Sequence, residues 1–226
     1  MNIFRELAYI LRKTGIALFL FHLFITFSDQ GLTQLMQTEL NSKNGVGPLI
    51  WVYGLISLFL SLLSPLITIL LVLAAKQSLG VLQFLGRNLN QLFIEEMRAS
   101  GKALLWSIPL ILPGVWKFIE FTFVPFVVIK DPDYALGKLD ALRTSSLITR
   151  KYFFRLIGIL FLFSVFFPLI LTSFDEYKVP WNHLFLAPLI IFIEMCLSIL
   201  LVLKLSQIFD SYTGGKNGTH IQLETN

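Results

Sequence analysis

Residues 48–75 run for 28 positions without a charge. As a helix they reach roughly 42 Å, enough to cross a ~30 Å hydrocarbon core with tilt. Along them Gly54, Ser57, Ser61, Ser64 and Thr68 recur at spacings of three and four. That stripe of small residues predicts close contact with another helix, and Pro65 predicts a kink. Apolar runs over residues 9–27, 153–172 and 183–209 predict three further spans.

Between the spans the pattern turns amphipathic. Residues 2–13 mix Ile3, Leu7, Ile10 and Leu11 with Arg5, Glu6, Arg12 and Lys13, which predicts an interfacial start running into the first span. Residues 28–47 read as a polar connection with a turn-rich cluster at 41–45, and Leu32, Leu35, Met36 and Leu40 predict a short surface helix within it. Over 78–98, Leu82, Leu85, Leu89, Leu92 and Phe93 oppose Gln83, Arg87, Asn88, Gln91 and Glu95, the pattern of a helix lying on a membrane surface. Asp131, Pro132 and Asp133 form a helix-start signature, with Asp131 as N-cap, for a helix carrying Ala135, Leu139 and Leu142 on one side.

One apolar segment, 103–129, is interrupted by Pro113-Gly114 and then charged at Lys117 and Glu120. If it crossed the membrane once, the two faces would carry eight and nine basic residues, against the positive-inside bias. If Pro113-Gly114 is instead the tip of a hairpin returning to its starting side, fifteen of the eighteen Lys and Arg residues share one face. Only Lys43 and Lys178 lie opposite, with Lys117 in the hairpin. A proline ends the incoming helix and a glycine tolerates the turn. The hairpin reading therefore puts both termini in the cytoplasm. Its arms are short for a full crossing, which leaves a re-entrant pair or a thinned bilayer. Lys117 and Glu120, three apart, neutralise each other on a helix.

Composition agrees. The chain is 55% hydrophobic and 14% charged, with mean hydropathy +0.74, where a soluble domain carries roughly 25% charged residues. The expected fold is all-α: a polytopic transmembrane bundle of about six membrane-embedded helices, hairpin included, with cytoplasmic amphipathic helices. Residues 1–209 form the membrane domain and 210–226 a flexible cytoplasmic tail. The basic, apolar amino-terminal region lacks a small-residue cleavage site and reads as an uncleaved span. A lone cysteine, Cys196, excludes an intrachain disulfide framework.

Chemistry is sparse. There is no Gly-rich phosphate loop and no His-Glu-x-x-His, and His22, His183 and His220 are scattered. No enzyme activity, cofactor or metal is expected. Topology accounts for the basic residues without nucleic acid. Asn217-Gly-Thr219 matches a glycosylation sequon, which a cytoplasmic tail would not present to the glycosylating enzyme. The candidate intramembrane polar site is Glu194 in the last span, His22 in the first, and the Lys117/Glu120 pair. A buried carboxylate is expensive and marks a functional site by default; the alternative is a Glu194 that is protonated, or paired to His22 or Lys117, and ties helices together.

The order of features from residue 100 to 172 is distinctive: Leu110-Ile-Leu-Pro-Gly114, then Trp116, Phe118 and Pro125, then Asp131-Pro132, then Ala141-Leu-Arg-Thr-Ser-Ser146, then Arg150-Lys-Tyr-Phe-Phe154. It resembles the YciC-type bacterial six-helix inner-membrane families and is similar to the membrane domain accompanying some glycerophosphodiester phosphodiesterases. The resemblance implies a helical inner-membrane protein without an assigned reaction and carries over no catalytic residue. Two function classes follow. One is a membrane-organising or accessory protein whose partners are the bilayer and a membrane protein or second copy. The other is a small transporter or channel using Glu194 and the Lys117/Glu120 pair.

Overall fold

The computed structural model describes residues 3–41, 47–76, 80–173 and 185–223. Most of these are helical, with no strand among them: α1 (Ile3–Asn41), α2 (Pro48–Lys76), α3 (Val81–Ser107), α4 (Ile111–Glu120), α5 (Val124–Lys130), α6 (Pro132–Ala135), α7 (Ala141–Lys151), α8 (Phe153–Phe161), a π-helical turn at Leu162–Phe166, α9 (Phe167–Thr172) and α10 (Leu186–Leu223). Five stretches are long and apolar enough to cross a membrane: Ile3–Asn41, Pro48–Lys76, Ile111–Lys130, Phe153–Thr172 and Leu186–Gly214. The fold is thus an all-α protein with five helices of membrane-spanning length and hydropathy. The chain forms two compact units. The first joins Met1–Ser78 to Phe163–Leu200 and the second joins Leu79–Leu162 to Leu201–Asn226.

In the first unit α1 and α2 lie side by side. Lys76 at the end of α2 pairs with Glu6 near the start of α1 at 2.9 Å. Lys13 donates to the Ala75 carbonyl at 2.9 Å, satisfying one of the acceptors a helix end leaves open. Toward the opposite ends, Ser57 donates to Asp29. The surface helix expected near Leu32–Leu40 is a continuation of α1, because no glycine-rich or proline break precedes residue 41. The small-residue stripe divides. Thr68 is buried and Gly54, Ser57 and Ser64 are half-buried, whereas Ser61 is exposed. The turn cluster over 42–45 and the 174–182 loop lie outside the described residues, as do Lys43, Lys178 and His183.

In the second unit α5 is the core element, with Val124, Pro125, Phe126, Val127 and Val128 all buried. It packs against α3 and α7, and Phe126 stacks on Phe209 of α10 at 6.2 Å. Lys130 closes the same contact by pairing with Asp210 and donating to Ser206. Helix α10 runs on to Leu223, and Lys151 lies 5.4 Å from the Tyr212 ring.

Three boundaries differ from the sequence expectation. Helix α3 does not stop at residue 98 but runs to Ser107, burying Phe84, Leu92, Ala99 and Ala103 and leaving Leu89 and Phe93 substantially exposed. The helix begun by Asp131 lasts only four residues. Its N-cap is as expected, the Asp131 carboxylate accepting from the Asp133 N–H at 3.0 Å. The chain then turns through Gly137 at φ +70°, a left-handed conformation that suits glycine. Asp140 caps a second start, accepting from the Leu142 N–H at 2.9 Å. The third difference is the hairpin tip.

Candidate functional site

The chain reverses between α3 and α4 at residues 108–110, not at Pro113-Gly114. Pro113 stands in the first turn of α4, where a missing N–H costs no helical bond, so it does not break the helix. Gly114 is buried for a different reason. A Cβ there would lie 1.7 Å from Ser107 Oγ and 2.8 Å from Ser107 Cα, so the last turn of α3 approaches α4 more closely than any side chain permits. The turn itself is apolar and outward-facing: Ile108 is 79% exposed and Leu112 81%, with Leu104, Leu105, Leu110 and Ile111 similarly bare.

Ten residues past that turn, Glu120 ends α4 and is buried. A carboxylate at a helix C-terminus faces the negative end of the dipole, so it needs compensation. Lys117 supplies it at 2.6 Å, the expected i,i+3 pair, and the Trp116 indole N–H donates at 3.1 Å. From α7 Arg150 reaches the same carboxylate at 3.5 Å. The Glu120 backbone is held as well. Ser145 Oγ donates to its carbonyl at 2.7 Å while accepting from the Phe123 N–H at 3.1 Å, and Thr149 Oγ donates to the same carbonyl at 3.3 Å. Side chains of α7 thus add hydrogen bonds to the turn linking α4 to α5. Ser145, Thr149 and Arg150 escaped sequence reasoning. Their trace is the i,i+4 hydroxyl pair on the face of α7 that also carries Ala141 and Ile148.

A cleft of about 350 Å³ opens beside this cluster, lined by Lys102, Trp106, Lys117, Glu120, Phe121, Asp140, Leu142, Arg143 and Ser146. Arg98 pairs with Asp140 at 3.1 Å and with Glu95 at 3.4 Å, and Tyr134 donates to Glu95 at 3.3 Å. Burial alone would raise the Asp140 carboxyl, but the Leu142 N–H and the Arg98 charge hold it below the ordinary carboxylate range. Glu96, half-buried on α3, has no such support, and burial pushes its carboxyl up to about 7.

The other two sequence candidates belong to the first unit. His22 Nδ1 lies 3.0 Å from the Leu18 carbonyl, which can only accept, so Nδ1 carries the proton. The ring meets Phe21 edge-on at 5.9 Å and lies within the electrostatic reach of Glu194 on α10. Lys117 and Glu120 form their own pair in the second unit. Among the described residues no three His, Cys, Asp or Glu side chains gather as metal ligands. Comparison with protein-family models, with curated proteins and with solved structures finds no match to this chain.

Proposed function

We propose that this chain is a non-enzymatic protein of the bacterial inner membrane, a membrane-organising or accessory component akin to the YciC-type families. The observation that carries the reading is where the buried polar groups point. From α7, Ser145 and Thr149 donate to the Glu120 carbonyl and Arg150 reaches the Glu120 carboxylate, so these groups brace the second unit. The topology proposed with it has both termini cytoplasmic and the α3–α4 hairpin entering from that side and returning. Basic asymmetry favours it. So does the burial of α5, which makes the second half of Ile111–Lys130 protein core rather than lipid-facing surface. Partners are lipid and a membrane protein or second copy; no nucleic acid is needed.

A second reading, a small transporter or channel, draws on the electrostatic coupling of His22 and Glu194 within helices of spanning length. One pair of variants separates the two. For an accessory protein, Glu194→Gln keeps the hydrogen bonds, folds normally and complements a deletion strain, while Glu194→Leu is destabilised. A Glu194→Gln variant that folds stably yet fails to complement would overturn the accessory reading in favour of transport.

A further inference from the structure

The cleft beside Glu120 gathers cations from three helices: Lys102 on α3, Lys117 on α4 and Arg143 on α7. Its two carboxylates are already engaged. Glu120 is held by Lys117, Trp116 and Arg150, and Asp140 by Arg98 and the first N–H groups of α7. Among the described residues no ion pair engages Lys102 or Arg143. The cleft therefore holds two positive charges without a counter-ion, next to an exposed indole, Trp106.

Its position on the hairpin says what supplies the anion. Lys102 precedes Ile108 by six residues and Lys117 follows Ile111 by six, which places both about 9 Å from the turn along their helices. Six side chains below them at the turn are bare and apolar: Leu104, Leu105, Ile108, Leu110, Ile111 and Leu112. An apolar tip of that depth matches the ~5–10 Å to which interfacial helices sink, with Trp and Lys at the headgroup level. The cleft then opens where phosphates lie.

We propose that this cleft binds the phosphate of an anionic phospholipid headgroup. The Arg143 guanidinium offers a planar fork to two phosphate oxygens, Lys102 adds a point charge, and the Ser146 hydroxyl is available as a donor. A zwitterionic headgroup fits less well. Its ammonium would face two uncompensated cations, and Lys117 already sits over the Trp106 and Phe121 rings at 5.9 and 6.0 Å, where a quaternary ammonium would otherwise stack. The site rests on the proposed topology only through the depth of the hairpin tip, and lipid preference is read whichever face is cytoplasmic.

The test is melting of the full chain in nanodiscs of phosphatidylcholine, with or without a minority of phosphatidylglycerol. Phosphatidylglycerol should raise the melting temperature of the wild type. Lys102→Gln/Arg143→Gln should lose most of that increment while melting normally in phosphatidylcholine alone. Arg87→Gln/Lys138→Gln, which removes equal charge from exposed positions outside the cleft, should keep it. Equal responses of the two double variants would reduce the effect to general surface charge and overturn the site. Inorganic phosphate reproducing the whole increment in phosphatidylcholine would overturn the lipid assignment. Native mass spectrometry of the wild type gives a readout that needs no variant: phosphatidylglycerol should stay bound in preference to phosphatidylcholine, and no preference would refute the proposal.

Discussion

Ser145 and Glu120 meet through a hydroxyl and a backbone carbonyl, 2.7 Å apart and both buried, and the same hydroxyl accepts from the Phe123 N–H. One side chain of α7 thereby completes the hydrogen bonding on both sides of the turn between α4 and α5. Ser145→Ala removes the acceptor of the buried Phe123 N–H and leaves the Glu120 carbonyl with the Thr149 hydroxyl, which costs on the order of 1–3 kcal/mol. Chemical denaturation in detergent should show that loss for Ser145→Ala and little change for Ser146→Ala, which lines the cleft. Equal stability of the two would remove the bracing role.

Gly114 is a contact point and not a turn residue. Gly114→Ala drives a Cβ into the Ser107 backbone and should destabilise by about 1–3 kcal/mol, the range for overpacking. Pro113→Ala, in the first turn, should be near neutral. If Pro113 were the residue that turns the chain, the order of the two effects would be reversed, and thermal melting of the two variants decides.

Glu96 predicts a pH dependence. Its folded carboxyl titrates near 7 against an ordinary 4.5, so between those values the folded chain holds a proton that the unfolded chain has released. Stability from this residue should therefore fall as pH rises from about 4.5 to about 7, with no further loss above. Melting at pH 5 and pH 7.5 should show a larger drop for the wild type than for Glu96→Gln. Identical slopes would mean that Glu96 ionises freely in the folded protein.

The proposed topology places Lys138 on the cytoplasmic face with both termini. Lys138→Cys in a Cys196→Ser background should resist a membrane-impermeant thiol reagent in intact cells and react once the membrane is opened. Reaction in intact cells would mean that Ile111–Lys130 crosses the bilayer.

Hydropathy by itself determined the helical spans, because an uncharged run such as residues 48–75 has no stable place in water, and five helices among the described residues are long and apolar enough to cross a membrane. Local chemistry determined the Asp131 cap and the Lys117–Glu120 pair, since partners two or three residues apart are set by helix geometry alone. The tertiary structure decided the rest. Pro113-Gly114 carries the same letters whether it turns the chain or lets two helices touch, and only the position of Ser107 across the contact distinguishes them. Likewise, the partners that α7 gives Glu120 stand 25 and more residues away, at a distance where spacing carries no information about contact. Lys102, Lys117 and Arg143 form one cleft because α3, α4 and α7 pack together, a fact of packing that periodicity within each helix does not contain.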